Sequence, residues 1–399
     1  MSIVLEDEST VAAGYSTENI AENAAAVSYR ENLKQEQANV TATIEREVLS
    51  GQKLDVAWNL TLAANIISAN VAYGDIAAIE SVAGVKKVVL ENRYDPMVVD
   101  TNETNDPDMA TSSAQIGSTN AWAAGYTGAG SKVAVIDTGI DYEHQSFAAA
   151  GYEYSLGLNK ESDETIDEYK ARVGVMEKSD LTDELLSQLN VKVTADKAYV
   201  SSKIPFGYNY IDENYTIDHQ HDTQGEHGSH VEGIAAANAY IQQADGTFAS
   251  ALDTVHVQGV APDAQIIVMK VFGAGGGAYD SDYMAAIEDA IVLGADSVNL
   301  SLGSGNPGFS RVSDDYAEIM ASLTESGTVV SMSAGNSGYW AENSQLGYLY
   351  ADDVSMQADG SPGSFTNSLA VASVNNDGFT GNYVKVGERV VAYSETNYS

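Results

Sequence analysis

Three short segments of the sequence carry side chains that could take part in one reaction. Asp137 follows the apolar run 132–136, His227 opens a segment of small residues, and Asn336 lies in a glycine-containing turn after the apolar run 329–333. A carboxylate can hold an imidazole in one tautomer, and the imidazole can take a proton from a nucleophile. An amide can donate a hydrogen bond to an oxygen that becomes negative. In combination, these groups suit general acid–base and oxyanion chemistry.

Each of these segments is ambiguous alone. An Asp-Thr-Gly segment such as that at Asp137 commonly forms a turn or a helix cap, and asparagine commonly serves tight turns. Their order and placement are more informative, because parallel sheets carry their functional groups at the carboxyl ends of strands. The small residues after His227 would also let a helix lie close to such a sheet and fix the imidazole.

The pattern around these residues predicts a parallel, doubly wound α/β sheet. Continuous apolar runs, typical of strands covered on both faces, recur at 132–136, 266–271, 297–302, 329–333 and 369–374. Apolar residues at helical spacing lie between the later runs, at 284–291 before Gly294 and at 316–323. Strands that alternate with helices favour right-handed parallel crossovers. We expect the glutamate-rich stretch 151–204 to be a surface excursion.

The first hundred residues form a separate pattern. Their expected elements follow the order β-α-β-β-α-β, at 3–5, 17–38, 54–58, 65–71, 76–82 and 85–90. This order is that of ferredoxin-like α+β domains, which serve many functions. We therefore expect a domain at 1–100 and a polar linker at 101–112.

Composition excludes several classes of protein. Only 19 Lys and Arg stand against 57 Asp and Glu, a formal charge of −38 that would repel phosphate backbones and makes nucleic-acid binding improbable. Solubility or a salty, cation-rich environment accounts for the acidity. The absence of cysteine excludes disulfides, thiolate metal sites and a cysteine nucleophile. No apolar run is long enough to span a membrane, and the first residues do not form a signal peptide.

The motifs, taken in order, resemble the subtilisin (S8) family of serine peptidases. The segment 135–140 resembles the catalytic aspartate segment, and 227–231 resembles the histidine segment, with Ser229 where threonine is usual. Glu232 stands where alanine is usual. Ser301, Leu302 and Gly303 resemble the strand of the primary specificity pocket, and Asn336 resembles the oxyanion-hole asparagine. The resemblance extends from about Ala114 to Val374.

This resemblance implies a serine-type endopeptidase that hydrolyses peptide bonds in proteins with an Asp-His-Ser triad. Asp137 would orient the imidazole, His227 would act as general base and then as general acid, and Asn336 would stabilise the oxyanion. The substrate would bind as an added strand along Ser301, Leu302 and Gly303. No cofactor is required by this chemistry. A structural calcium ion is common in the family, but the loop 242–260 shows no ligand set.

The resemblance also gives the domains expected identities. The unit 1–100 would be an inhibitory propeptide of the inhibitor I9 type, and 113–377 an incomplete peptidase domain. The acidic insertion and the extended tail suggest the cell-envelope, lactocepin-like branch. Residues 378–399, with a hairpin about Gly387, would begin an inserted protease-associated domain. The expected location is secreted or at the cell envelope, and the expected partners are polypeptide substrates and the protein's own propeptide.

The sequence departs from the family at the nucleophile. No Gly-Thr-Ser segment occurs in the 399 residues, and Ser229 and Ser337 belong to other motifs. Because the family order is aspartate, histidine, serine, we expect the missing serine after Ser399 in a longer chain. The chain is thus expected to carry Asp137 and His227 of the triad but to lack activity by itself.

Two alternatives remain open from the sequence. The first is a metal-dependent hydrolase, because four histidines lie within twelve residues beside two aspartates, namely His219, His221, His227 and His230 with Asp218 and Asp222. Imidazole and carboxylate suit zinc, although the spacing matches no standard zinc motif. The second is a non-catalytic, peptide-binding or inhibitory module.

The missing nucleophile leads to a direct prediction. Without an activated hydroxyl no acyl-enzyme can form, so a fluorophosphonate probe should leave residues 1–399 unlabelled. Intact-mass spectrometry would measure the labelling, with a complete serine peptidase of the family as the positive control. Stoichiometric labelling of any serine would contradict the prediction.

Overall fold

The protein has an N-terminal α+β unit followed by a larger α/β unit. The computed structural model describes residues 1–94, 109–303, 319–320, 323, 328–335, 362–363, 369–374, 383–387 and 389–392. The N-terminal elements are β1 (Ser2–Leu5), α1 (Ala24–Glu47), β2 (Asp55–Leu60), β3 (Ile66–Asn70), α2 (Ile76–Ile79), β4 (Val85–Val89) and β5 (Arg93–Tyr94).

The N-terminal sheet confirms the predicted ferredoxin-like order. Its four strands lie in the order β2-β3-β1-β4 and all pair antiparallel. Helix α1 covers this sheet, where Val40 and Ile44 pack with Ile3 and Ile67. The helix begins later than predicted because the Asn23 side chain accepts hydrogen bonds from the first free backbone N–H groups.

The second unit begins with short helices and contains the main sheet. Its elements are α3 (Met109–Gln115), α4 (Ser118–Ala123), β6 (Lys132–Asp137), α5 (Ala149–Asn159), α6 (Ile166–Val173), α7 (Asp183–Leu186), α8 (Ala195–Ala198), β7 (Phe206–Asn209), α9 (His227–Ala236), β8 (Tyr240–Gln242), β9 (Phe248–Ser250), α10 (Ala251–Thr254), β10 (Gln265–Lys270), β11 (Ala278–Tyr279), α11 (Asp280–Val292), β12 (Ser297–Leu300), β13 (Val329–Ser333), β14 (Leu369–Val371), β15 (Tyr383–Val386) and β16 (Arg389–Ala392).

The main sheet is parallel and doubly wound, as predicted. Its six strands follow the order β14-β13-β12-β6-β10-β7, and every pair is parallel. From β6 the chain runs to the edge strand β7 and returns through β10, which lies between them. It then adds β12, β13 and β14 in turn on the other side of β6. Strand β7 was not predicted, because its four residues, Phe-Gly-Tyr-Asn, are too short and too polar to form an apolar run. The predicted helix at 316–323 lies largely outside the described residues.

Alternate residues of the central strands face two different helices. Val135 of β6 and Val268 of β10 pack on the α9 side with Ala236. Ala134 and Ile136 of β6 face the opposite side, in the core that holds α11. Since side chains alternate along a strand, Asp137 and Lys270 belong to the α9 face.

The stretch 151–204 does not form the expected surface excursion. Tyr152 and Leu156 of α5 are fully buried. Leu186, Leu189 and Val191 join the main core. The many acidic residues of this stretch suggested a surface location. Its apolar residues are widely spaced along the chain, but they pack inward while the carboxylates remain at the surface.

The C-terminal hairpin is present. Strands β15 and β16 pair antiparallel around Gly387, whose positive φ of 65° suits glycine. Among the described residues, no helix is both long and apolar enough to cross a membrane.

Candidate active site

The end of β6 and the start of α9 bring two predicted residues together. His227 Nδ1 lies 2.8 Å from Asp137 Oδ1, and the backbone N–H of Thr138 donates to the same oxygen at 2.7 Å. The Asp137 side chain is 1% exposed and that of His227 is 15% exposed. Because the carboxylate accepts a hydrogen bond from Nδ1, the proton of the neutral ring lies on Nδ1. Nε2 therefore remains available to accept a second proton.

The environment favours the charged form of His227. The hydrogen bond that His227 donates to Asp137 raises the pKa of His227, burial opposes this shift, and the charge of Asp137 adds to it. A raised pKa means that the imidazolium is stabilised relative to the neutral ring. This is the form that a general base takes after it has accepted a proton.

Two glycines allow the helix to approach the strand. A Cβ on Gly228 would lie 2.2 Å from the carbonyl oxygen of Gly139, so no other residue fits without a shift. Gly139 has a φ of +99°, and its own Cβ would lie 2.2 Å from the oxygen of Ile217. Thr138 Oγ1 accepts from the Gly228 N–H at 2.8 Å, which fastens the first turn of α9 to the loop after β6.

Ser229 connects two loops at this site. Its Oγ accepts from the backbone N–H of Asp141 at 2.6 Å and lies 2.8 Å from His219 Nε2. The hydroxyl is therefore engaged in tying the loops to α9.

An ion pair that the sequence did not reveal lies beside Asp137. Lys270 ends β10 in register with Asp137, and its Nζ lies 2.9 Å from Asp222 Oδ2. The same Nζ donates to the carbonyl oxygen of Thr138. A single lysine at the end of the apolar run of β10 was the available signal. It could not be interpreted without knowing which strand lies beside β10.

The histidine-rich segment is not arranged as a metal centre. His227 binds Asp137, His219 binds Ser229, and Asp222 binds Lys270. Within the described part of the chain, no group of three or more His, Asp or Glu residues is placed to hold a metal ion. The geometry of these side chains therefore does not favour the metal-dependent alternative.

The predicted peptide-binding residues follow β12, the neighbour of β6. Leu302 and Gly303 are buried, and Ser301 Oγ accepts from the Asn299 side chain at 2.9 Å. Ser333 Oγ, at the end of β13, donates to the Leu302 carbonyl at 3.1 Å. These residues lie at the same edge of the sheet as Asp137. Asn336 lies outside the described residues.

A short two-stranded pairing was missed in the sequence. Strand β11 pairs antiparallel with β5, with Ala278 opposite Tyr94 and Tyr279 opposite Arg93. A Cβ on Gly276 would lie 2.7 Å from the guanidinium of Arg93. The glycine-rich run 273–277 was the available signal, since glycine lets another chain approach closely.

Comparison with known proteins identifies similar chains. The model of the subtilase family (peptidase S8) matches residues 128–399. The PII-type proteinase of Lacticaseibacillus paracasei is 32% identical over 351 residues, which cover 85% of this chain and 16% of that protein. The minor extracellular protease Vpr of Bacillus subtilis is 30% identical over 291 residues, 70% of this chain and 26% of that protein. The chain thus spans only a small part of these relatives.

One solved structure is also similar in outline. The epidermin leader peptide processing serine protease from Staphylococcus aureus has 16% sequence identity and a TM-score of 0.47. The match covers 83% of this chain and 67% of that chain.

The close approach of α9 leads to a prediction with an internal control. Gly228→Ala should destabilise the fold by about 1–3 kcal/mol, because the new methyl overlaps the Gly139 backbone. Gly233→Ala in the same helix meets only Phe147 Cζ at 4.0 Å and should be neutral or stabilise by up to about 1 kcal/mol. Chemical denaturation of both variants measures the difference. Equal stability of the two variants would contradict the proposed constraint.

Proposed function

The chain belongs to the subtilase family, and from this premise we propose that it is part of a serine endopeptidase in which Asp137 and His227 are the acid and the base of the triad. The observation that carries the proposal is the 2.8 Å contact between Asp137 Oδ1 and His227 Nδ1. It leaves Nε2 of a partly exposed imidazole free to receive a proton. The Nδ1 proton is held in place by a buried carboxylate.

The proposed mechanism follows from this geometry. His227 Nε2 takes the proton of a serine hydroxyl as the oxygen attacks the peptide carbonyl, and it returns that proton to the leaving amine. Asp137 stabilises the imidazolium and keeps its charge throughout. Asn336 donates to the oxyanion. The serine itself belongs to a Gly-Thr-Ser segment, which is absent from residues 1–399.

We propose two backbone edges for the peptide substrate. Ser301, Leu302 and Gly303 form one edge, next to the end of β6. Strand β11 forms the other, and its pairing with β5 supports this role because it already holds an extended segment by main-chain hydrogen bonds. A substrate strand would replace β5 there.

The N-terminal unit is proposed to be an inhibitory propeptide. Its loop 61–64 lies over α11, where Glu288 Oε1 accepts from the backbone N–H groups of Leu62 at 2.9 Å, Ala63 at 2.7 Å and Ala64 at 3.2 Å. A carboxylate that accepts several backbone hydrogen bonds in a buried site binds strongly, because its removal leaves each donor unsatisfied.

The other contacts of this unit lead toward the proposed substrate edge. Trp58 Nε1 donates to Asp282 Oδ1 at 2.7 Å. Farther along the chain, Tyr94 is buried against Tyr283, and its hydroxyl donates to Asp280 Oδ1 at 2.9 Å. The unit thus continues directly into β5, which occupies the edge that β11 offers. An attached segment at this edge would compete with substrate.

We propose a secreted or cell-envelope location for the whole protein. One relative is named an extracellular protease, the Vpr protease of Bacillus subtilis. The partners proposed for this chain are polypeptide substrates and its own N-terminal unit.

The role of Asn336 can be tested in a protein that includes the serine. Asn336→Ala should lower kcat by roughly 100- to 1,000-fold, the range for one lost oxyanion donor in an enzyme of this family. KM should change little, because the donor acts mainly in the transition state. A turn-forming asparagine would instead lower the melting temperature and leave kcat near normal. Steady-state kinetics and thermal melting of the same preparation distinguish the two roles.

The propeptide role can be tested with the N-terminal unit in trans. Residues 1–100 should inhibit the serine-containing enzyme from which that unit has been removed. Trp58→Phe should weaken inhibition by about 10-fold or more, because Asp282 Oδ1 then stays buried without the Trp58 donor. Tyr73→Ala is the matched control, since this side chain of the same unit is 78% exposed. No inhibition by the folded unit at micromolar concentration would contradict the role.

A further inference from the structure

Glu232 is a buried carboxyl group directly behind the candidate catalytic pair. It lies in α9, five residues after His227, and its side chain is 0% exposed. Neither carboxyl oxygen has a hydrogen-bond partner among the residues that the structure describes. The sequence departs from the family here, where alanine is usual. A buried polar group without a partner is costly and requires an explanation.

The position of Glu232 in the helix shows what it faces. The buried residues of α9 are Gly228, Glu232 and Ala236, one on each successive turn. This stripe packs on the main sheet, since Gly228 rests on the Gly139 backbone and Ala236 lies among residues of β6 and β10. Glu232 therefore lies over the face of the sheet that carries Asp137 and Lys270.

The titratable groups around Glu232 lie on three elements. Strand β6 contributes Asp137, strand β10 contributes Lys270, and α9 itself contributes His227 and His230. Lys270 is already paired with Asp222 at 2.9 Å. The remaining charge on this face is Asp137, whose Oδ1 binds Thr138 and His227 while its buried Oδ2 has no partner among the described residues.

This environment favours the protonated form of Glu232. Burial raises the pKa of Glu232 well above its ordinary value, the charge of Asp137 raises it further, and Lys270 opposes the shift. A second carboxylate beside Asp137 would have no cation of its own in an apolar site. A neutral carboxylic acid has one O–H donor, and it is the only side-chain donor in the sheet-facing stripe of α9.

We propose that Glu232 is a positioning residue for the Asp137–His227 pair: its buried carboxyl group has no hydrogen-bond partner among the described residues and lies on the same face of the sheet as Asp137, whose Oδ2 is also without a described partner. The two carboxyl groups are not hydrogen-bonded to each other in this structure, so the coupling acts through space. The inference rests on the proposed function for its meaning in catalysis. Folding stability and the proton NMR spectrum can both be measured without catalytic turnover.

The protonation of Glu232 can be tested through stability. A folded acid with a raised pKa binds one more proton than the unfolded chain, so the stability of the natural protein should fall as pH rises. Glu232→Gln keeps the shape without the titration. Above the ordinary pKa of a glutamate, the folding constant of the natural protein should therefore drop relative to this variant as pH rises, by at most about tenfold per pH unit. A difference that does not vary with pH would mean that Glu232 is ionised in the fold and would overturn the proposal.

The positioning role can be tested by proton NMR of the full chain. The Nδ1 proton shared between His227 and Asp137 should give a far-downfield resonance, which His227→Ala would assign. We expect this resonance to persist in Glu232→Gln, which keeps the size of the side chain and stays uncharged, and to be lost or broadened by exchange in Glu232→Ala. Val231→Ala, which truncates a neighbouring partly buried apolar residue, is the control for packing loss and should retain it. An unchanged resonance in Glu232→Ala would show that the side chain only fills space and would overturn the proposal.

Discussion

The contact on which the site depends is the backbone approach between α9 and the loop after β6. Without side chains at Gly228 and Gly139, the helix comes close enough for Thr138 Oγ1 to accept from the Gly228 N–H at 2.8 Å. This fixes the first residue of α9 opposite the last residue of β6. The hydrogen bond between Asp137 and His227 is then a consequence of main-chain packing, and the raised pKa of His227 follows from it.

A second constraint is the position of α11 between the two units. One side of this helix packs on the main sheet, while its acidic residues accept hydrogen bonds from the N-terminal unit. Glu288 accepts backbone N–H groups of the loop 61–64, Asp282 accepts from Trp58, and Asp280 accepts from Tyr94. The carboxylates of one helix therefore satisfy donors that would otherwise be buried without a partner. This arrangement makes the interface specific rather than merely apolar.

Buried charge is used differently on the two sides of the sheet. At α11 the carboxylates accept defined donors, whereas at α9 Lys270 is matched with Asp222 and Glu232 has no partner among the described residues. The overall charge of −38 conceals these differences, because most acidic residues remain solvated. The chemistry of the site depends on the few that are removed from water, where each charge must be paired or neutralised.

The sequence by itself determined the features that depend on local pattern. Apolar runs located most strands of the main sheet, the order of elements indicated the ferredoxin-like unit, and two motifs located Asp137 and His227. Tertiary structure alone decided how distant segments meet. It buried Tyr152 and Leu156 of α5, paired β5 with β11, and placed Glu232 over the face of the sheet that carries Asp137 and Lys270. The physical reason is that helix and strand periodicity are set by neighbours along the chain. The burial, pairing and protonation of a charged side chain are set by whichever elements pack against it.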